Sequence, residues 1–454
     1  MHDWLAARAK ASPQALALIM DDNQWTYAEL DQLVQRYASH LAGMVQPGEH
    51  VGVLLPNNLA YVCLIHALAR VGAVLVPLNT RLTNQELSWQ LTHSDCVLLI
   101  TSEEMAAGAS ALPKPTMPIL LTGELASSPS GTAVYPEVAF NFDNKQAIMF
   151  TSGTSGQPKG AELTFANHFW SATASACRLG VQEEDRWLNC LPLYHIGGLA
   201  IILRSCLYGT AVILHERFDE KAVWEALDHH AVTSISLVPT MIHRLLDHQG
   251  TKAWPASLRH VLLGGAAAPP ELIARCRERH VPLSLTYGLT EAASQVATMP
   301  PRESWRKPGS AGKPLLFTTV DIIDEHNQQL GPQEVGEICV SGPTVMAGYY
   351  KDEQATARTL RDGRLYTGDM GFLDEDGDLW LVHRRNDIII TGGENVYPAE
   401  VENVLRQHPA IADISVAGVP DREWGERVAA MIVLHYGKQL ACHLYTSDAA
   451  DELN

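Results

Sequence analysis

Ten consecutive residues, Thr151-Ser-Gly-Thr-Ser-Gly-Gln-Pro-Lys-Gly160, supply hydroxyls, permissive backbone and one cation, and almost nothing that a hydrophobic core could use. That inventory suits a phosphate. Glycines at 153, 156 and 160 let backbone N–H groups approach an anion closely, and Lys159 brings a charge to it. The preceding Ala147-Ile-Met-Phe150 run reads as a buried strand, so the loop leaves a strand end, where α/β sheets place their ligands. The spacing is not that of a P-loop NTPase, because counting from Gly153 puts Pro158 where the second glycine of that motif belongs. A flexible Ser/Gly linker is the competing reading, and Lys159 and the strand argue against it.

Other chemical groups also follow strand-like runs. Tyr287-Gly-Leu-Thr-Glu291 comes after Val281-Pro-Leu-Ser-Leu-Thr286. Glu291 is suited to Mg²⁺ held on phosphates, since that ion takes one or two carboxylates plus phosphate oxygens. The alternative is an acidic residue favoured at a helix N-terminus. Gly264-Gly-Ala-Ala-Ala-Pro269 lets backbone lie against a flat ring such as adenine, although alone it is only a turn. Pro192-Leu-Tyr-His195 puts a histidine at a strand end; among nineteen histidines, a buried ring with satisfied nitrogens is an equally good reading. Asp369, in Tyr366-Thr-Gly-Asp-Met-Gly371, can accept two ribose hydroxyls. Arg384-Arg-Asn-Asp387 supplies cations beside a charged pivot, and Gly392-Gly-Glu-Asn395 reads as a mobile loop. The acidic run Asp374-Glu-Asp-Gly-Asp378 lacks the closing Glu of a calcium loop, position 385 being Arg, and reads as a solvated β-turn.

Alternating strand and helix patterns must position these groups. Val51–Leu55, Ala73–Pro77 and Val97–Thr101 are strands around a Leu59–Val71 helix, and Thr26-Tyr-Ala-Glu29 is a capping box opening a helix toward Leu41. The Pro/Gly/Ser-rich patch from Ala107 to Gly131 reads as a connection. A second α/β set has strands near Arg186–Leu191, Ala211–Leu214, Ser234–Val238 and His260–Leu263. Short β runs follow at Val320–Ile323, Gly336–Val340 and Leu379–Val382, then a helix at Ala399–His408 and strands at Ile414–Val419 and Ala429–Leu434. The expected fold is α/β: a large N-terminal domain (1–385) of two α/β subdomains and a small β-barrel-like subdomain, then a small, incomplete α+β C-terminal domain (386–454).

Composition narrows the partners. The 33 basic and 51 acidic residues give a formal charge of -18, which repels nucleic acid and anionic membrane, so an anionic ligand must be met by local cations. No stretch reaches eighteen uncharged apolar residues, and eight cysteines without a CxxC pair indicate neither a disulfide framework nor a zinc site. A cytoplasmic protein is expected, and a homo-oligomer is compatible with this composition.

Taken in order, these motifs resemble the adenylate-forming superfamily of acyl-CoA synthetases, peptide-synthetase adenylation domains and luciferases, over nearly residues 1 to 436. Asn167-His168, Asp185-Arg-Trp-Leu188, Leu191–Leu199, His215-Glu-Arg-Phe218 and Ser294-Gln295 are most similar to the branch that activates o-succinylbenzoate for menaquinone biosynthesis. The resemblance implies ATP, Mg²⁺ and CoA as cofactor and co-substrates, and a small aromatic carboxylate as acyl substrate. It implies that Thr151, Ser152, Gly153, Thr154 and Lys159 hold the β/γ-phosphates, Thr290 the α-phosphate, and Glu291 the metal. By the same resemblance Asp369 and Arg384 hold the ribose, Gly264, Gly265, Ala266, Tyr287 and Gly288 pack against adenine, and His195 gates the acyl site. Asp387 matches the hinge, and Gly392 and Gly393 the CoA channel. Arg204 and Arg217 are candidates for the second carboxylate of a dicarboxylic substrate, with solvated surface arginines the alternative. The family carries a lysine near its end that bridges the carboxylate and the α-phosphate. From about residue 437 the chain departs from that pattern, so a truncated C-terminal domain is expected. Another aryl- or acyl-CoA ligase, or an impaired nucleotide- and acyl-binding fragment, are the alternatives.

Overall fold

The computed structural model describes residues 3–112, 117–126, 141–151, 158–250, 252–384, 389–396, 398–405, 408–435 and 438. Local signals set where its helices begin and end. Thr26 caps helix Tyr27–Leu41: its hydroxyl accepts the Glu29 N–H at 3.3 Å, while the Glu29 carboxylate accepts the Thr26 N–H at 2.8 Å. Two backbone donors that the first turn leaves unpaired are thereby satisfied. The same box recurs at Thr83 with Glu86 and at Thr164 with Asn167. Gly72 and Gly209, both left-handed, end helices Leu59–Val71 and Ile196–Tyr208, as expected of the residue without a Cβ penalty there.

Contacts divide the chain into two compact units, one of Met1–Thr151 with Lys159–His383 and another containing Arg384 onward. Among the described residues the first unit holds two large sheets. One is seven-stranded, in the order Gly348–Tyr349, Lys159–Thr164, Lys145–Thr151, Val74–Pro77, His50–Leu54, Cys96–Thr101, Ile119–Leu121. The other is eight-stranded, in the order Ser294–Thr298, Leu283–Leu289, His260–Leu263, Ser234–Leu237, Arg186–Asn189, Ala211–Leu214, Leu16–Met20, Asn23–Thr26. Inner strands run parallel and outer hairpins antiparallel. Strands His50–Leu54 and His260–Leu263 are buried at every position, which is why the residues after each opening histidine read as a non-alternating run without polar side chains. Helix Leu59–Val71 packs on Tyr27–Leu41 and is buried on nearly all sides, matching its apolar composition.

A curled antiparallel sheet follows, in which Thr319–Ile323, Gly336–Ser341, Arg364–Leu373 and Leu360–Arg361 are neighbours and Leu379–Arg384 pairs with Arg364–Leu373. The second unit holds a four-stranded sheet, Glu394–Val396, Ile389–Thr391, Gly425–Leu434, Ile411–Asp421, with helix Pro398–Leu405 packed through Val401 and Leu405 on Ile414 and Val416.

Three expectations change. The patch from Ala107 is more than a connection: helix Ala106–Ser110, edge strand Ile119–Leu121 and helix Thr122–Ala126 lie in it, the strand pairing parallel with Cys96–Thr101. The glycine-rich stretch at 392 is the tight turn of hairpin Ile389–Thr391/Glu394–Val396, where a mobile loop was expected. Gly392 and Gly393 have φ of 58° and 86°, and the Gly392 N–H donates to the Trp424 carbonyl at 2.9 Å. The acidic turn is not a solvated one, because Asp374 and Asp378 are buried around the Lys307 ammonium.

Candidate active site

Thr151 and Lys159 lie opposite each other on paired antiparallel strands, so the two ends of the glycine-rich loop are pinned together by sheet hydrogen bonding. Ser152, Gly153 and Thr154 fall outside the described residues. Facing Thr151 is Glu291, in a single 3₁₀ turn, Thr290–Ala292, between strands Leu283–Leu289 and Ser294–Thr298. The strand thus continues through Tyr287 to Leu289, past the end expected at Thr286, and Thr290 and Glu291 form the tip. Such a tight reversal strains the chain: Ala293 and Ser294 have φ of 51° and 96°, a region that costs non-glycine residues energy and recurs at functional sites. Gly288 is required here, because a Cβ would lie 1.8 Å from the Ser294 carbonyl oxygen.

One oxygen of Glu291, Oε1, accepts the Tyr349 hydroxyl at 2.8 Å and a longer contact from Thr151 Oγ1 at 3.4 Å. Tyr349 was not singled out in the sequence. Its ring also lies under the Lys159 ammonium, 5.3 Å from Nζ to the ring centre. Thr151, Lys159, Glu291 and Tyr349 therefore converge in one half-buried corner. With both donors on Oε1, Oε2 takes no hydrogen bond from the described residues, so the carboxylate fits a divalent cation that accepts a single oxygen.

The neighbouring strand ends form a second wall. Strand His260–Leu263 runs into Gly264, where a Cβ would come 2.7 Å from Thr286 Cγ2, then into left-handed Gly265 with φ 80° and half-buried Ala266. The Tyr287 hydroxyl donates to Asp369 Oδ2 at 2.7 Å, joining two motifs that the sequence left separate. Thr367 Oγ1 accepts the Asp369 N–H at 3.1 Å and donates to the Ile338 carbonyl at 2.7 Å, which fixes the Thr-Gly-Asp backbone. Tyr287 and Asp369 are both buried, so little of the Tyr287 ring faces outward. Arg384 ends strand Leu379–Arg384; Asp387 lies outside the described residues.

His195 precedes helix Ile196–Tyr208, half-buried, with its ring 4.7 Å from that of Tyr194. Buried Asn57 holds the segment before it, donating to the Leu191 and His215 carbonyls at 2.9 and 3.0 Å and accepting the Leu193 N–H at 2.8 Å. Gly198 allows the tight approach, since a Cβ there would lie 2.3 Å from the Pro192 carbonyl oxygen.

Farther along the same helix, Arg204 is 3% exposed, which overturns the solvated reading of this residue; Arg217 is exposed, in keeping with it. Nη1 of Arg204 donates to Gln295 Oε1 at 2.8 Å and to Ser175 Oγ at 3.4 Å, and the guanidinium lies 5.3 Å from the Trp187 ring centre. Nε and Nη2 have no hydrogen-bond partner, and no carboxylate among the described residues pairs with the group. Burial alone pushes its pKa down, as expected for a cation moved out of water without an anion. Beside it, His168 is 3% exposed, and burial together with the Arg204 charge pushes its pKa down to about 3, so this imidazole is neutral. A buried, under-satisfied cation costs stability unless something outside the protein completes it.

Among the described residues, the one three-carboxylate group close enough to share a metal is Asp374, Asp376 and Asp378, and Lys307 already binds it at 2.7 Å (Asp374) and 2.8 Å (Asp376). That cluster anchors a hairpin and is separate from Glu291. No described helix is long and apolar enough to cross a membrane.

Residues 5–350 match the AMP-binding enzyme family, and residues 400–453 match the AMP-binding enzyme C-terminal domain. A 2-succinylbenzoate–CoA ligase of Bacillus cereus is 40% identical over 434 residues, 95% of this chain and 88% of the relative. The o-succinylbenzoate CoA synthetase of Bacillus subtilis, solved as a double mutant with the product analogue OSB-NCoA, superposes with a TM-score of 0.91 at 40% identity, covering 98% of this chain and 90% of that one. The same enzyme bound to its acyl-adenylate intermediate gives a TM-score of 0.80 at 39% identity (100% and 92% covered). Bound to ATP and magnesium, it gives 0.79 at 40% identity (95% and 90% covered).

Proposed function

We infer the activity from the premise that the chain belongs to the AMP-binding enzyme family: it is an AMP-forming acid–thiol ligase that activates o-succinylbenzoate as an acyl-adenylate and transfers the acyl group to CoA. The observation that carries the substrate is 40% identity, over 95% of the chain, to enzymes of that activity. Arg204 supports it independently. A buried guanidinium with two nitrogens lacking partners suits a substrate carrying a second carboxylate, and a monocarboxylate would leave it uncompensated.

The chemistry follows from the weakness of a carboxylate as electrophile: it is anionic, and its leaving group would be oxide. Attack of a carboxylate oxygen on the α-phosphorus of ATP forms an acyl–phosphate bond and expels pyrophosphate. The CoA sulfur then attacks the acyl carbon, the thiol proton leaves, and AMP departs. The protein's task is to position reactants and neutralise charge. We assign Thr151, Ser152, Gly153, Thr154 and Lys159 to the β/γ-phosphates, Thr290 to the α-phosphate and Asp369 with Arg384 to the ribose. Gly264, Gly265, Ala266, Tyr287 and Gly288 form the adenine wall, and His195 borders the acyl site. Magnesium, when bound, neutralises phosphate charge, and Glu291 is the residue that would hold it. Asp387 is assigned as the hinge, and Gly392 and Gly393 to the CoA path.

Pyrophosphate release and CoA-thioester formation, measured with o-succinylbenzoate, benzoate, a coumarate and fatty acids, test the reading. Turnover of o-succinylbenzoate supports it; turnover of another acid without it refutes it.

A further inference from the structure

We propose that Tyr349 is a positioning residue of the ATP site: its hydroxyl orients the Glu291 carboxylate for magnesium, and its ring seats the Lys159 ammonium. The proposal rests on the assignment of Glu291 and Lys159 made above. Tyr349 is fixed by its backbone at the place where three segments meet. Gly348 and Tyr349 pair antiparallel with Glu162 and Ala161, extending the sheet that carries both ends of the phosphate loop. The Tyr350 N–H donates to the Gly160 carbonyl at 2.8 Å, the Met346 N–H to the Glu291 carbonyl at 2.8 Å, and the Tyr349 N–H to Thr356 Oγ1 at 2.9 Å. The short segment 346–350 thus ties the Thr290–Ala292 turn to the return strand of the loop.

From that anchor the side chain makes two contacts of different chemistry. The hydroxyl donates to Glu291 Oε1 at 2.8 Å, on the same oxygen that Thr151 approaches at 3.4 Å. A donor on one carboxylate oxygen holds the group in one orientation and leaves the other oxygen for a cation that demands nearly fixed octahedral geometry. The ring face, 5.3 Å from Lys159 Nζ, attracts the ammonium through its negative quadrupole without taking one of its protons. Among the described residues, no hydrogen-bond acceptor takes the ammonium's N–H donors from phosphate oxygens. Tyrosine supplies both features from one rigid group, so phenylalanine keeps the ring and loses the hydroxyl, while leucine loses both.

The test is binding of a non-hydrolysable ATP analogue to the full chain by calorimetry, across a magnesium series, for wild type, Tyr349→Phe, Tyr349→Leu and Glu291→Gln, with thermal melting as the folding check. Tyr349→Phe should reduce the magnesium-dependent gain in affinity about tenfold, the loss of one hydrogen bond to a charged group, and leave magnesium-free affinity unchanged. Tyr349→Leu should also weaken magnesium-free binding, by roughly three- to fivefold, because Lys159 loses its seat. If Glu291→Gln abolishes the magnesium effect while Tyr349→Phe matches wild type, the positioning role is overturned and the Glu291 assignment stands. Should Glu291→Gln leave the magnesium effect intact, both fall. A merely structural tyrosine would instead lower the melting temperature and weaken binding equally with and without magnesium.

Discussion

Two regions of the molecule, the phosphate end and the buried surroundings of Arg204, are built on opposite principles. At the phosphate end, Thr151, Lys159, Glu291 and Tyr349 are half-buried, engage one another, and keep solvent access for their charges. At the other, Arg204 and His168 are each 3% exposed, and both retain nitrogens without partners. The first arrangement costs the fold little, since hydrated charges need no compensation. The second is expensive by itself, and under the function proposed above the substrate brings the missing anion. Grip on the nucleotide is thus separable from stability, whereas choice of the acid is coupled to it.

Lys159→Ala should show the larger side of that separation. Its adenylation rate is expected to fall about 10²–10³-fold, the usual loss when a preorganised charge at a transition state is removed, with unfolding free energy unchanged. Stopped-flow or pyrophosphate-coupled kinetics beside a denaturation curve check both halves; thioester formation from supplied acyl-adenylate should be nearly unaffected.

Arg204→Met should invert the pattern. KM for o-succinylbenzoate is expected to rise roughly 30- to 100-fold, for the loss of a charged hydrogen-bonded contact, while stability holds or rises by about 1 kcal/mol because a buried charge is gone. A large loss of stability would mean that Arg204 is a structural residue and break the contrast.

The pH dependence sharpens it further. His168 has a folded-state pKa depressed to about 3, below its ordinary 6.5, so the unfolded chain binds the proton first as pH falls. Its contribution to stability is therefore present above about 6.5 and is lost progressively as pH falls toward 3, at up to roughly 1.4 kcal/mol per pH unit. Burial likewise depresses His66 and His260 to about 4, so several groups share the transition. His168→Gln should flatten the curve between pH 6.5 and 4 in guanidinium titrations. The phosphate-corner variants should leave its slope alone.

The smallest effect belongs to a cluster outside either end. Lys307→Gln, which strips the cation from buried Asp374 and Asp378, should lower the melting temperature by a few degrees and leave KM for ATP and for the acid unchanged.

Much of this was legible in the sequence because the signals were local. The capping box at Thr26, the helix Leu59–Val71 and the strand before Thr151 depend on neighbours a few residues away, and all three appear as read. What was not legible joins residues far apart in the chain. Tyr349 meets Glu291 across 58 residues, and Tyr287 meets Asp369 across 82, with nothing in spacing to announce either pair. Lys307 likewise reaches the acidic turn from about seventy residues away, which is why that turn read as solvated. Arg204 did carry a signal that was missed. It is the only charged residue in Ile196–Tyr208, an otherwise apolar or small-residue helix with no polar face to carry it into water.

The central claim is that the buried cation Arg204 selects a dicarboxylic aromatic acid for adenylation. It is tested most directly by kcat/KM for o-succinylbenzoate against benzoate in wild type and in Arg204→Met. The account predicts a preference of roughly 10²-fold or more in wild type that collapses toward parity in the variant, through loss of o-succinylbenzoate turnover alone. Equal use of the two acids by wild type, or a preference untouched by the substitution, would contradict it.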